Sequence, residues 1–552
     1  MKTNLRLIPS LAALFFLSAF QPFNVEGLSQ KVPSDVRDLP QRETSSHRAV
    51  ATPKNGHRYI YVPAASASPG KGETITLGGV PYPSIVRLLA TGESLDFAYD
   101  NATRTITITL PPALRGVSGE DVVHVQIPSV PGPTPEAPRD EKLWTPDDKP
   151  NSPVGVARGI FPGRVTWARD IAATPWDGVT GTWWAEGSGI NQTAVDNMVA
   201  RSLRSLTGES TDAGAWVALF KYYNRTHDRG DRAYTRGEKI AVKVNINNSY
   251  AGHKDADNQI DASVQTIHAV LHQLVKNAGI AESDITVYEA TRVIPDRIFQ
   301  KCHASFPGVV FADSKGSPEN GRVRVQYTKN AMGYSIADSK VGRELPDFIV
   351  AATYIINIGL VKGHPTTGVT LTAKNHYGTV RVRDHSVFVN SHAHPMATYH
   401  PFVDMIGSKQ LGEKTLIFML DGLYGLRDVN DAVGENARWH NLFNGEWFAS
   451  IFMSQDPVAI DSVGLDFLRN EFPLGRGKKA GKNESMANAD NYMHESAQAG
   501  NPPSKTNYAP DGVPLKSLGV HEHWDNAKDR RYTRNLDPQN GKGIELHAVR
   551  LK

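Results

Sequence analysis

Apolar and polar positions alternate with a period of two in the first part of the chain. Between residues 58 and 128, short segments such as RTITITLP and DVVHVQIP show this alternation, with Gly, Asn and Pro between them. Alternation with closely spaced turns is typical of strands that bury one face. The segment therefore predicts a small all-β sandwich module.

The period changes after residue 154, where helix-like and strand-like segments follow one another. In IDASVQTIHAVLHQLVKNAG the apolar residues fall on one helical face, and Gly279 ends the pattern. The runs DFIVAATYIINIG and TLIFMLDGL are continuously apolar, as expected for strands covered on both faces of a parallel sheet. We therefore predict an α/β fold, with a mostly parallel sheet flanked by helices and preceded by the β-sandwich module.

Composition divides the chain into five predicted segments. The first combines Lys2 and Arg6 with an apolar run from Leu7 to Phe20, which indicates a secretory signal peptide. The alternative is a membrane anchor, although a bilayer needs roughly 20 apolar residues. We expect a secreted or periplasmic protein with no stable membrane span after signal cleavage. The segments are a signal peptide (1–27), a flexible lead-in (28–57), the β-sandwich module (58–128), a Pro-rich linker (129–153) and the α/β domain (154–552).

Charge and cysteine content exclude several classes of function. The 60 basic and 57 acidic residues give a net charge of +3, too balanced for a protein that binds nucleic acid through general basicity. Cys302 is the only cysteine, so the chain has neither an internal disulfide nor a four-cysteine iron–sulfur or zinc site. Any metal must then be held by histidines and carboxylates.

The stretch IGLVKGHPTTGVTLTAKNHYG, residues 358–378, places many hydrogen-bond donors beyond a predicted strand. Ligands of open α/β sheets bind past the carboxyl ends of the strands, so we predict Lys362, His364, Lys374 and Asn375 as catalytic residues. The segment TTGVTLTAKN is predicted to be a helix whose first backbone amides favour an anion. The alternative is that Lys374 and Asn375 only satisfy loop carbonyls.

Further residues are predicted to bind the substrate. Lys243, Asn245 and Asn247 alternate along KIAVKVNIN and so share one sheet face; the alternative is an edge strand that faces water. Thr367 and His376 lie beside the predicted catalytic residues. A cationic pocket on a nearly neutral protein favours an anionic small-molecule or glycan ligand, such as a carboxylate or sulfate.

A histidine-rich segment, DHSVFVNSHAHPMATYH, provides a predicted metal site. His392 and His394 are two residues apart, which places both imidazoles on one side of a strand or loop. Together with His385, and with Asp421 at a strand end, they suit a divalent metal such as zinc, manganese, iron or nickel. The alternative is a polar surface loop that binds nothing, and the cofactor is otherwise unknown.

Acidic residues and histidines nearer the carboxyl terminus have predicted roles as well. Asp456 precedes Pro457 and is expected to cap a helix, whereas Asp461 is expected to orient a basic group in the pocket. His521 and His523 either complete the pocket or pack as part of the carboxyl-terminal tail.

Several motifs resemble one family. INIGLVKGHPTTGVTLTAKNHYG and SQDPVAIDSVGLDFL resemble the signatures of the family catalogued as domain of unknown function 362. GIFPGRVTWARD, NYMHESAQAGNPPS and SLGVHEHWDN are similar to segments of an exported subgroup, so the resemblance covers roughly residues 150–550. The resemblance marks the Lys-x-His stretch as a family signature and implies no assigned activity. Many relatives carry ferredoxin-like cysteine motifs, which this chain lacks, so no iron–sulfur cluster is expected.

The β-rich module has a resemblance of its own. GVPYPSIVRLLATGESLDFAYDNATRTITITLP is similar to the carboxyl-terminal β-sandwich of α-L-fucosidases. That resemblance implies a carbohydrate context by association, and it does not imply fucosidase activity.

These patterns lead to two hypotheses of function. The first is an exported enzyme that acts on an anionic or carbohydrate substrate by lyase- or epimerase-like proton abstraction next to a carboxylate, as in uronic acids. In it, Lys362 or Lys374 stabilises negative charge and His364 acts as the acid or base. The alternative is a non-catalytic exported protein that binds a glycan or a metal.

Overall fold

The computed structural model divides into two compact units, residues Met1–Thr134 and Pro135–Lys552. The structure describes residues 41–44, 47–52, 57–63, 73–78, 85–88, 91, 93–100, 103, 105–112, 120–126, 148–249, 252–336, 342–364, 367–381, 396–472, 486 and 488–551. The predicted signal peptide lies outside the described residues. Among those that are described, no helix has the length and hydropathy that a membrane span requires.

The first unit consists of antiparallel strands in two sheets. The sheet orders are β1-β2-β3-β8-β5 and β4-β7-β6. Side chains along β7 alternate between buried and partly exposed positions, and both sheets contribute to one apolar core. This architecture confirms the predicted small all-β module, and its first two strands lie within the segment 28–57 that composition assigns to a lead-in. The strands are Gln41–Thr44 (β1), His47–Thr52 (β2), His57–Pro63 (β3), Glu73–Leu77 (β4), Ile85–Leu88 (β5), Phe97–Asp100 (β6), Thr105–Leu110 (β7) and Glu120–Gln126 (β8).

The second unit is built on one large mixed sheet, ordered β14-β13-β12-β11-β17-β19-β20-β10-β22, with β18 paired to β17. Except for β20 and β18, which pair antiparallel with their neighbours, the strands of this sheet are parallel. The strands are Val154–Gly155 (β9), Arg164–Arg169 (β10), Ile240–Lys243 (β11), Ile285–Glu289 (β12), Val310–Asp313 (β13), Val323–Arg324 (β14), Tyr327–Thr328 (β15), Leu345–Pro346 (β16), Tyr354–His364 (β17), Gly368–Thr370 (β18), Thr415–Leu426 (β19), Ser450–Ser454 (β20), Val520–His521 (β21) and Glu545–Ala548 (β22).

Helices cover both faces of this sheet, which confirms the predicted α/β fold. Val242 and Ile356 face one apolar cluster, while the adjacent Ala241 and Ile355 face the other, as the alternation along a strand requires. The helices are Gln192–Thr207 (α1), Asp212–Thr226 (α2), Val264–His272 (α3), Asp296–Ser305 (α4), Asp347–Ala351 (α5), Thr372–Tyr377 (α6), Pro401–Gly407 (α7), His440–Phe443 (α8), Pro457–Glu471 (α9), Asn491–Ala497 (α10) and Thr533–Leu536 (α11).

The run DFIVAATYIINIG is a helix followed by a strand, and the prediction of a single strand is wrong. Its first five residues form α5, and β17 begins at Tyr354. The short apolar run fits either structure by periodicity alone, and Asp347 lies in the first turn of the helix after Pro346.

The predicted helix TTGVTLTAKN is likewise divided between two elements. Gly368–Thr370 forms β18, which turns back on β17 so that Lys362 lies opposite Thr370 and His364 opposite Gly368. Gly368 has a φ of +77°, which a residue with a side chain adopts only with strain. Within the predicted segment, the helix begins only at Thr372, the first residue of α6.

Asp456 caps α9 as predicted. One carboxylate oxygen accepts hydrogen bonds from the backbone N–H groups of Val458 (3.0 Å) and Ala459 (2.9 Å), and Pro457 occupies the first helical position. This cap fixes the start of the helix that carries Asp461.

Gly363, near the end of β17, lies where no side chain fits. A Cβ atom at this position would be 1.9 Å from the carbonyl oxygen of Arg427. Backbone atoms cannot move aside as a flexible side chain does, so the strand requires glycine here.

We expect Gly363→Ala to lower the free energy of unfolding by about 1–3 kcal/mol, as overpacking of a well-filled interior does. Urea unfolding monitored by circular dichroism measures the loss. Gly500→Ala is the matched control, because its nearest neighbour would be 3.4 Å from the new Cβ atom. Equal free energies of unfolding of the two variants would contradict the conclusion that no side chain fits at position 363.

Candidate functional site

Three adjacent parallel strands carry charged side chains toward their carboxyl ends. Lys243 ends β11 and Glu289 ends β12, while Lys362 lies near the end of β17. The helix α6, with Lys374 and Asn375, contacts β17. We refer to Lys243, Asp261, Glu289, Arg292, Lys362 and Lys374 as the lysine cluster.

Lys243 forms a fully buried ion pair with Glu289. Its Nζ donates to Glu289 Oε2 (2.7 Å) and to the carbonyl oxygen of Val244 (2.7 Å), and the two side chains are 0 % and 2 % exposed. Burial lowers the pKa of Lys243, and the Glu289 carboxylate opposes that shift. The pair joins the carboxyl ends of β11 and β12, where the site lies.

Asn375 connects this ion pair to the neighbouring strand. Its Oδ1 accepts from Lys243 Nζ (3.2 Å) and Asn245 Nδ2 (3.0 Å), and its Nδ2 donates to Asn357 Oδ1 (2.7 Å) and the carbonyl oxygen of Ile358 (2.9 Å). All these contacts are internal to the protein. Asn375, predicted as catalytic, therefore positions Lys243 and α6.

The amino end of α6 is held by an internal carboxylate. Asp461 accepts from the backbone N–H (2.8 Å) and hydroxyl (2.7 Å) of Thr372 and from the backbone N–H of Ala373 (2.9 Å). Burial raises the pKa of Asp461 to about 6. The anion predicted at the first turn of this helix is therefore Asp461 itself, which orients the helix rather than a basic side chain.

Lys374 is a buried amine without a hydrogen-bond partner among the described residues. Its side chain is 8 % exposed and makes no hydrogen bond with any residue that the structure describes. Burial, with the charges of Lys362, Arg292 and Lys243, lowers the pKa of Lys374 to about 7 against the opposing charge of Glu289. An amine of this kind exchanges a proton near neutral pH.

Lys362 supplies a second cation with unused donors. Its Nζ donates to the carbonyl oxygen of Ile260 at 3.3 Å, its one bond among the described residues. An ammonium group has three N–H donors. Burial lowers the pKa of Lys362 to about 8, and the nearby Asp261 carboxylate opposes that shift. Lys362 therefore has hydrogen-bonding capacity for a ligand.

Sequence reasoning missed four members of this site: Asp261, Glu289, Arg292 and Asn357. Asp261 accepts from the backbone N–H groups of Asn247 (2.7 Å) and Asn248 (3.0 Å), and Arg292 Nε donates to the carbonyl oxygen of Asn247 (3.2 Å). The lysine cluster contains four basic groups and two carboxylates, a formal excess of two positive charges. Glu289 could have been found, because it ends the strand DITVYEA beside Lys243.

Three further residues predicted for the site, His364, Thr367 and His376, are not members of the lysine cluster. His364 is half-buried at the end of β17, and Thr367 Oγ1 donates to the carbonyl oxygen of Val369 (2.8 Å) within the hairpin. His376 packs edge-on against Phe418, and its Nε2 lies 3.4 Å from the hydroxyl of Thr415, the first residue of β19. His376 is therefore a core side chain, and burial lowers its pKa to about 3.

Asn247 and Asn245 follow β11 rather than belonging to it, since the strand ends at Lys243. Asn245 reaches Asn375, as the prediction of a shared site requires, whereas Asn247 Nδ2 donates to Asn248 Oδ1 (3.1 Å).

The predicted metal ligands His385, His392 and His394 lie outside the described residues. The fourth, Asp421, is buried and already used. Its Oδ2 accepts from the backbone N–H (3.0 Å) and hydroxyl (2.6 Å) of Ser263, and its Oδ1 accepts from the backbone N–H of Leu423 (3.2 Å). Asp421 thereby holds the residue that caps α3.

Comparison with known families bears on this part of the fold. Residues 240–466 match the model of a domain of unknown function (DUF362). The matched DUF362 segment contains every member of the lysine cluster and also Asp461. A search of curated proteins found no match to the chain.

Lys374→Met tests the charge state of the buried amine. Folding lowers the pKa of Lys374 from 10.5 to about 7, so the folded protein binds fewer protons than the unfolded chain between these values. The wild-type free energy of unfolding therefore rises with pH across that window. Methionine removes this dependence, so the stabilisation by Lys374→Met should be on the order of 3 kcal/mol larger at about pH 6 than at about pH 9.5.

Urea unfolding at the two pH values measures the difference, and Lys409→Met is the control because the Lys409 side chain is exposed. A stability difference between Lys374→Met and the wild type that does not change with pH would show that the amine is not buried as described.

Glu289→Gln tests the ion pair. The substitution leaves Lys243 buried without a counter-charge, and we expect a loss of about 3–5 kcal/mol in the free energy of unfolding. The double variant Lys243→Met/Glu289→Gln should be more stable than Glu289→Gln alone, because no unpaired cation remains. Chemical denaturation of the wild type, both single variants and the double variant gives the coupling energy. A coupling energy near zero would show that Lys243 and Glu289 do not stabilise each other.

Proposed function

We propose that the protein is an exported enzyme that binds a small carboxylate-bearing substrate at the lysine cluster and removes the proton from the carbon next to the carboxylate. The observation that carries this proposal is Lys374: a buried amine without a hydrogen-bond partner among the described residues, with a pKa of about 7, next to other cations. A general base is most effective when its pKa lies near the working pH.

The roles follow from the charges and donors of the site. Lys362 binds the substrate carboxylate with N–H donors that the described residues leave unused. Neutral Lys374 takes the proton as the C–H bond breaks, and the electron pair moves into the carboxylate, where the positive charge of Lys362 stabilises the enolate. His364 then returns a proton in an epimerase; in a lyase, a group on the next carbon leaves with its electron pair.

Features outside the lysine cluster support the substrate class and the location. The amino-terminal segment has the pattern of a signal peptide, which favours a secreted or periplasmic protein. The similarity of the β-sandwich module to the carboxyl-terminal module of α-L-fucosidases favours a carbohydrate context. Uronic acids combine a sugar with a carboxylate, so they are the substrates to test first.

A second candidate function is binding without chemistry. Lys243, Asn245 and Asn375 are already engaged with one another, so the site is largely preformed without a ligand. An exported protein that binds an anionic glycan would use the same excess of positive charge to hold its ligand unchanged.

The test is hydrogen exchange in D2O. Purified protein is incubated with uronic acids and their oligomers, and loss of the signal of the proton next to the carboxylate is followed by NMR. We expect exchange that becomes faster as the pH rises through about 7, and that falls by about 10²–10⁴-fold in Lys374→Met. Lys374→Arg keeps the positive charge but cannot lose its proton, so it should bind the ligand without exchange.

Lys409→Met, at an exposed position, should behave as the wild type does. Exchange that survives in Lys374→Met would remove Lys374 from the mechanism. Binding of uronic acids by every variant with no exchange in the wild type would instead support the non-catalytic candidate.

A further inference from the structure

A group of histidines and carboxylates gathers around α10, apart from the residues assigned to the lysine cluster. It comprises Asp148, Asp490, His494, His521 and His523. The potential ligand atoms of Asp148, His494 and His521 lie within 4.8 Å of one another, and so do those of Asp490, His521 and His523. His521 belongs to both sets and lies at the centre of the group.

His521 is buried with one ring nitrogen engaged and the other directed into the group. Its Nδ1 lies 2.8 Å from the hydroxyl oxygen of Ser462, which is also 2.7 Å from the carbonyl oxygen of Val458. A carbonyl cannot donate, so the serine hydroxyl donates to Val458 and accepts the Nδ1–H of His521. Nε2 then carries a lone pair. It has no hydrogen-bond partner in the described part of the chain, although the side chain is only 1 % exposed.

The other histidines are oriented by carboxylates. His494 Nε2 lies 2.6 Å from Asp148 Oδ2, and His521 Nε2 lies 3.9 Å from the same oxygen. His523 Nδ1 lies 2.6 Å from Asp466 Oδ1, the arrangement by which a carboxylate fixes the ring of a metal-binding histidine. Asp490 is held by Arg469 Nη2 at 3.0 Å.

The rings are arranged to converge rather than to stack. The planes of His494 and His521 are inclined at 76° with centroids 4.4 Å apart, and those of His521 and His523 at 83° with centroids 4.9 Å apart. Three imidazoles packed together in the interior leave a buried polar nitrogen unsatisfied, which costs free energy unless a ligand accepts the lone pair.

We propose that Asp148, His494 and His521, completed by His523 and Asp490, bind one divalent transition-metal ion. Imidazole nitrogens with carboxylate oxygens, in a site without cysteine, suit zinc first and then cobalt, nickel or manganese. The metal joins segments that are distant in sequence: Asp148 at the start of the described part of the unit, α10, and the strand Val520–His521. Its binding therefore couples to the folding of the carboxyl-terminal part of the chain.

The proposal differs from the metal site predicted at His385, His392, His394 and Asp421, with which it shares no residue. It also differs from the two sequence-based interpretations of His521 and His523, because both histidines face other histidines and carboxylates.

The experiment uses the purified full chain, first treated with a chelator and then dialysed against Zn²⁺, with bound metal measured by inductively coupled plasma mass spectrometry. We expect one zinc ion per chain in the wild type and a thermal midpoint that rises when zinc is restored. His494→Ala should weaken zinc binding by at least about tenfold and abolish that rise. His440→Ala is the matched control, since His440 is an exposed histidine.

Two further measurements keep the test decisive if His494→Ala folds poorly. Titration of the metal-free wild type with Co²⁺ should produce the visible absorption of cobalt bound to nitrogen and oxygen ligands, without any substitution. The double variant His392→Ala/His394→Ala should retain its zinc. No metal bound by the wild type after Zn²⁺, Co²⁺, Ni²⁺ and Mn²⁺ are offered would overturn the proposal. So would one zinc ion retained by His494→Ala but lost by His392→Ala/His394→Ala.

Discussion

The candidate site depends on the burial of a lysine charge next to a carboxylate at the carboxyl ends of two neighbouring strands. The ion pair of Lys243 and Glu289 fixes the ends of two strands, and Asn375 links the pair to α6. Because the pair is excluded from water, its charges act strongly on neighbouring groups. Burial, together with the charges of Lys362, Arg292 and Lys243 and against the charge of Glu289, makes Lys374 an amine that ionises near neutral pH. The lowered pKa of Lys374 is thus a property of the surroundings of the amine.

The two sites described above share structural support through α9 and α10. Asp461 on α9 holds the amino end of α6, and it also accepts a hydrogen bond from the hydroxyl of Tyr492 on α10 at 2.9 Å. The next residue of α9, Ser462, bonds His521. Adjacent residues of one helix therefore contact the helix that carries Lys374 and the central histidine of the proposed metal site. The two groups of residues are therefore linked through α9.

The sequence was most informative where burial leaves a pattern. Strands covered on both faces gave continuous apolar runs, and the rule for carboxyl ends of strands led to Lys362 and Lys374. It was least informative where a role depends on a partner far along the chain. Asp461 lies 89 residues from Thr372, so spacing could not show that they meet. The run DFIVA was ambiguous because its four consecutive apolar residues fit a helix turn and a strand equally.

The outer edge of the large sheet joins the two ends of the α/β unit. β10, near the start of the unit, pairs in parallel with β22, and Arg164 and Glu545, in contact there, are 381 residues apart. A chain that emerges amino end first from a ribosome cannot form this pairing until residues 545–548 are free. Completion of the sheet is therefore a late, long-range event that follows synthesis of β22, and until then β10 has an unpaired edge open to other chains.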